Sequence, residues 1–142
     1  MSALLAAAAP VHAAEPVGVD IQGCSASGGA TTVPAGAEID LFAGWSAQPR
    51  GQDLAFLYSV RTTLTVDGAA VAGADNHWTT PFKIFKGLWI VFWDYLLPPL
   101  DVGDSVTVHH VWTFTFPVFD GVTHFPSGTT FDSTCTITGV AP

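Results

Sequence analysis

The stretch Ser105 to Phe116, SVTVHHVWTFTF, divides by parity into two unlike sets of side chains. Val106, Val108, His110, Trp112, Phe114 and Phe116 fall on one side, and Ser105, Thr107, His109, Val111, Thr113 and Thr115 on the other. A period of two is that of a β-strand with one buried and one wetter face, the usual state of a strand in an antiparallel sheet. This strand sets the expected fold: an all-β, antiparallel, two-sheet sandwich.

Working outward, the same idea recurs less cleanly. The final segment Thr129 to Val140 alternates Phe131, Ser133, Cys135 and Ile137 with Asp132, Thr134, Thr136 and Thr138. Upstream, Glu38 to Trp45 places Ile39, Leu41, Ala43 and Trp45 on one face, and Val17, Val19 and Ile21 alternate in a first short strand. Arg61 to Val66 followed by Asp67-Gly68 and Ala69 to Val71 reads as a hairpin. Ser25 to Ala30 reads as a flexible turn, Ser46 to Asp53 as a polar loop and Ala72 to Gly87 as the longest irregular region, while Leu54 to Tyr58 fits a helical turn or a strand entry. Leu88 to Leu97, LWIVFWDYLL, differs from all of these because both parities are apolar. Trp89, Val91, Trp93 and Tyr95 share one face; Leu88, Ile90, Phe92 and Leu96, with Asp94, share the other. The outward face of a sandwich strand is normally solvated, so one of these faces needs cover from a loop, a neighbouring subunit or a ligand.

Composition agrees with a single β domain. A chain of 142 residues hides roughly two-thirds of its unfolded surface, enough for a real core. The hydrophobic fraction is 49%, yet no apolar run approaches the roughly 20 residues that span a bilayer. Four basic against twelve acidic residues give a formal net charge of −8, which disfavours nucleic acid as a partner. Asp far outnumbers Glu, and with fourteen Gly and ten Pro this usage favours turns over helix surfaces. Residues 1–14, MSALLAAAAPVHAA, resemble the end of a secretory signal, which leaves 15–142 as the domain and a secreted or cell-surface location as the expectation. In an exported protein the two cysteines, Cys24 and Cys135, are read as one disulfide tying the terminal strands. Closing a loop of about 110 residues contributes roughly 4 to 5 kcal/mol in the chain-entropy treatment.

The segment from Trp93 to Val140, with WDYLLPPLDVGDSVTVHHVW, then DG, then SGTTFDSTCTITGV, resembles the immunoglobulin-like sandwiches of exported bacterial proteins. These strand-and-turn cues cover about a third of the chain. The resemblance implies a fold class and modules that serve adhesion, surface architecture or ligand binding.

Chemistry is harder to find. His109 and His110 are adjacent on a strand and point to opposite faces, so one metal ion cannot easily take both. His110 is expected in the core with Trp112, and His109 among threonines in solvent; a zinc or copper site would have to recruit one of them with His77, His124 or Asp75. The acidic turns at Asp67, Asp101 to Asp104 and Asp120 read as turn formers rather than calcium loops. Gly44-Trp45-Ser46-Ala47-Gln48 lacks the second glycine of a nucleophile elbow, and no phosphate loop or Cys-x-x-Cys is present. No catalytic residue, metal ligand or cofactor is therefore assigned. The primary expectation is a non-catalytic module for adhesion, surface architecture or self-assembly, with a protein partner or a second copy of itself. The alternatives are a glycan-binding domain using exposed aromatic rings, with Trp78, His77 and one of Trp89 or Trp93 as the candidate residues, and a small metal-dependent or hydrolytic enzyme. Trp45 and Trp112 are expected in the core.

Overall fold

The structure, a computed structural model, describes residues 15–48 and 50–142. The signal-like segment 1–14 lies outside the described residues. In chain order the elements are β1 (Val17–Asp20), α1 (Ile21–Ala26), β2 (Ala30–Pro34), β3 (Ile39–Ala47), α2 (Arg50–Ser59), β4 (Val60–Val66), β5 (Ala69–Ala70), a 3-10 turn (Ala74–His77), β6 (Phe82–Phe85), β7 (Leu88–Leu97), β8 (Ser105–Phe114), β9 (Val118–Phe119), β10 (His124–Phe125) and β11 (Thr130–Val140). Among the described residues the strands form a four-stranded sheet in the order β1-β3-β7-β6, a five-stranded sheet in the order β2-β11-β8-β4-β5, and a small β9-β10 ribbon.

The parity of β8 translates directly into structure. Val106, Val108, His110, Trp112 and Phe114 are buried, and the opposite side carries hydroxyls that pair across to β11. Thr107 meets Thr136 at 2.9 Å, Ser105 meets Thr138 at 2.6 Å and Thr113 meets Thr130 at 3.1 Å. Such cross-strand pairs are the unit of sheet stabilisation on a wet face. Phe116 departs from the expected alternation: it lies past the end of β8 and is 40% exposed.

The two large sheets pack face to face. One core cluster joins Ile39, Leu41 and Trp93 of the four-stranded sheet to Leu64, Val108 and Ile137 of the other. A second joins Ala43, Trp45 and Val91 to Trp112 and Phe114, with Phe56 of α2 filling the end of the sandwich. Phe56 stacks on Trp45 with ring centroids 4.9 Å apart.

Both sheets are mixed rather than purely antiparallel. β1 runs parallel to β3, and β2 runs parallel to β11. The chain leaves β1 at the edge of one sheet, crosses through α1 and enters β2 at the edge of the other. The Asp20 carboxylate starts α1 by accepting the Gln22 N–H at 3.1 Å, a side-chain cap that ends the first strand one residue before Ile21. Cys24 therefore sits in that helix rather than on a strand. It is bonded to Cys135 of β11, with Cα atoms 5.7 Å apart, so the disulfide ties the helix that follows the first strand to the last strand of the chain.

Two further segments depart from expectation. Arg50–Ser59 is helical, which takes in part of the expected polar loop and settles the ambiguous Leu54 to Tyr58 run. Phe82–Phe85 is a strand inside the expected irregular region, hairpinned to β7 through Lys86 and Gly87. Both turn residues have positive φ, 39° and 78°, as a two-residue turn matched to strand twist requires.

Candidate functional site

β7 decides where function can reside, because each of its faces is apolar for a different reason. Val91, Trp93 and Leu97 point into the sandwich and are buried. The Trp93 indole N–H donates to the Ala74 carbonyl at 2.7 Å, which satisfies the one polar atom of that buried ring. The opposite parity, Leu88, Ile90, Phe92, Asp94 and Leu96, forms the outer face, and no element among the described residues closes over it.

Register extends this face across the sheet. Asp40 pairs with Leu96, Phe42 with Asp94, Gly44 with Phe92 and Ser46 with Ile90. On one side β6 adds Phe82 opposite Ile90 and Phe85 opposite Leu88; on the other, β1 adds Gly18 opposite Asp40 and Asp20 opposite Phe42. Phe82 is 41% exposed, Leu96 55% and Phe85 61%, while Phe42, Ile90 and Phe92 are half-buried by one another. Phe92 contacts Phe42 edge-on at 6.3 Å and Phe82 at 5.8 Å.

Glycines let these rings lie down. A Cβ at Gly44 would stand 3.1 Å from the Phe92 ring, and one at Gly18 would stand 3.2 Å from Phe42. Each phenyl covers the bare backbone of its neighbour, so the surface is low, aromatic and nearly continuous. The outer face of the five-stranded sheet, with its threonine pairs and the 2.7 Å contact of His109 with Asp132, is the polar counterpart.

Charge is unevenly placed on the apolar face. Asp20, Asp40 and Asp94 occupy one end, where Asp40, Phe42, Thr79, Phe92 and Asp94 line a shallow hollow of about 280 Å³. Burial raises the Asp40 carboxyl above its ordinary range, and the neighbouring Asp94 charge raises it further. Lys86 occupies the turn that leads into Leu88 at the other end, whereas Arg50, over the Trp89 ring at 5.4 Å, and Lys83, paired with Trp89 across the hairpin, belong to the opposite face of the sheet.

The residues singled out from sequence are dispersed. Trp78 is not displayed on a polar loop: its ring stacks on Trp112 at 5.1 Å and its N–H donates to the Thr62 hydroxyl at 3.0 Å. Trp93 is buried, and Trp89 is half-buried under Arg50. His77 packs edge-on against Tyr95 at 5.3 Å, and His124 stacks on Phe119 at 4.1 Å. His110 is buried between Trp93 and Trp112, with ring centroids 4.3 and 5.7 Å away, and burial, assisted by His109, lowers its pKa to about 4. Among the described residues no three His, Cys, Asp or Glu side chains converge as a metal site would need.

Phe42, Phe82, Asp40 and the two glycines were not singled out from sequence. Their signal was present in Asp40, Phe42, Gly44 and Ser46, the parity opposite to the buried one in β3, where Phe42 is the only apolar member with a large side chain. Comparison with protein families, with curated proteins and with solved structures gave no match.

Proposed function

We propose that this domain is a non-catalytic, exported module of immunoglobulin-like type that works in surface architecture or adhesion by assembling through the outer face of the four-stranded sheet. The observation that carries this reading is the uncovered aromatic surface formed by Phe42, Phe82, Ile90, Phe92 and Leu96. Monomeric soluble proteins seldom leave so continuous an apolar face open unless it meets something. The flatness produced by Gly18 and Gly44 favours a broad partner surface over a small molecule that needs a deep pocket. The disulfide fits an oxidising compartment and hence a secreted or surface location.

The glycan-binding alternative draws less support, because Trp78 and Trp93 direct their rings into the protein. The test is particle mass by light scattering over a wide concentration range, with electron microscopy of the same samples and Ile90→Lys as the comparison. Oligomers that form with concentration and vanish in Ile90→Lys are expected. A particle that stays monomeric throughout, and shows the same mass with and without the substitution, removes the self-assembly reading.

A further inference from the structure

Among the described residues Asp53 is the only fully buried acid, neither of its carboxylate oxygens has a hydrogen-bond partner, and it stands in the first turn of α2. A buried polar group without a partner is costly, and an ionised one far more so. We propose that α2 is a proton-operated lid, which covers its end of the sandwich while Asp53 is protonated and lifts at its first turn, pivoting on Ser59, when Asp53 ionises. The device is separate from the apolar sheet face and does not depend on assembly.

The two ends of α2 are held unequally. At its C-terminal end Ser59 is buried, its hydroxyl donates to the Phe116 carbonyl at 2.7 Å and accepts the Phe116 N–H at 3.1 Å, and its carbonyl accepts the Thr115 N–H at 2.9 Å. At the N-terminal end the ties come from Gln48 and are longer, its N–H reaching the Asp120 carbonyl at 3.3 Å and its Nε2 the Lys86 carbonyl at 3.4 Å. Phe56 is the only fully buried apolar side chain of the helix. Its ring lies 4.9 Å from those of Trp45 and Trp78, 5.5 Å from Trp112 and 5.6 Å from Phe114. A helix anchored by one ring and tied firmly at one end opens locally at less cost than the two sheets separate. Lifting brings Asp53 into water and uncovers these four rings.

No charge offsets the burial. The strands β3 and β7, which pack against α2, carry Asp40 and Asp94 on the outer face of their sheet. On β8, His110 is enclosed by Trp93 and Trp112, and His109 points to the other side, paired with Asp132. Past β9, the Asp120 carboxylate accepts the Val122 and Thr123 N–H groups, and Arg50 of α2 itself lies over Trp89. None of these groups forms an ion pair with Asp53, and burial alone pushes its carboxyl from an ordinary 3.8 up to about 7. The closed helix therefore keeps the Asp53 proton up to about pH 7, whereas the lifted helix releases it near 3.8. Each pH unit between these values favours lifting about tenfold, roughly a thousandfold in all, and the gain levels off above pH 7.

Hydrogen exchange on the full, oxidised chain tests the lid, measured in steps from about pH 4.5 to 7.5 and corrected for the pH dependence of free amides. Protection of the Leu54 to Tyr58 amides is expected to fall about tenfold per unit up to pH 6.5 and to level above 7. Protection of the β8 amides is expected to change little up to pH 6.5, because their opening exposes His110 as well as Asp53 and the two act in opposite senses. Asp53→Asn is expected to flatten the α2 profile. His110→Leu keeps the test decisive where Asp53→Asn fails to fold: its α2 profile should match wild type while its β8 protection falls with pH. The lid is wrong if α2 protection is independent of pH, if it tracks β8 at every pH, if the helix is already unprotected at the lowest pH, or if Asp53→Asn shows the same decline.

Discussion

Asp53 lies fully buried in the first turn of α2, and neither of its carboxylate oxygens has a hydrogen-bond partner among the described residues. Burial raises its pKa to about 7. Between about pH 4 and 7 the folded chain keeps this proton while the unfolded chain has released it, so the residue makes stability fall as pH rises, by about 1.4 kcal/mol per unit. His110 acts in the opposite sense. Its folded pKa of about 4 lies below the unfolded value of 6.5, so between those values the unfolded chain takes up a proton that the folded chain refuses, and stability grows with pH. The two slopes oppose each other over most of this range. Asp53→Asn is expected to expose the His110 slope, with stability rising from pH 4 to 6.5 and then level, and to exceed wild type by about 2 to 4 kcal/mol at pH 8. His110→Leu should leave the Asp53 decline alone. Urea unfolding at half-unit pH steps measures both, and parallel curves for wild type and Asp53→Asn would contradict the buried-acid assignment.

At the scale of the element, β7 separates stability from association within one strand. Trp93→Ala, which removes a ring packed between the sheets, is expected to cost about 3 to 5 kcal/mol. Ile90→Lys, three residues away on the other face, should change stability by less than about 1 kcal/mol while removing assembly. Denaturant midpoints beside particle masses check the pair. The double apolarity of β7 was legible in sequence, and so was the need for cover on one face. Which face was the core was not legible, since Trp89, Val91 and Trp93 and their counterparts Leu88, Ile90 and Phe92 are equally able to pack. α2 was ambiguous for a related reason. Its buried stripe, Asp53, Phe56 and Ser59, contains two polar residues, so the helical period carries no apolar signature. Trp78 was misplaced because what buries it, Trp112 and Thr62, is distant in sequence.

For the molecule as a whole, the disulfide is the longest-range covalent constraint, joining residues separated by 111 positions. Cys135→Ser, or reduction of the wild type, is expected to lower stability by about 2 to 5 kcal/mol. Guanidinium unfolding with and without reductant measures this, and Cys135→Ser should be insensitive to the reductant.

The sequence by itself determined the strand-rich class, the parity of β3, β8 and β11, the turn at Asp67-Gly68 and the pairing of its two cysteines, because alternation, turn chemistry and cysteine number are local or countable properties of a chain. Tertiary structure alone decided that β1 and β2 run parallel to their neighbours, that α2 seals one end with Phe56, and that Phe42, Phe82, Ile90 and Phe92 meet on one open face. Those outcomes depend on which strand lies beside which and in what register. Register is fixed by the sum of contacts between distant segments, and no single segment contains it.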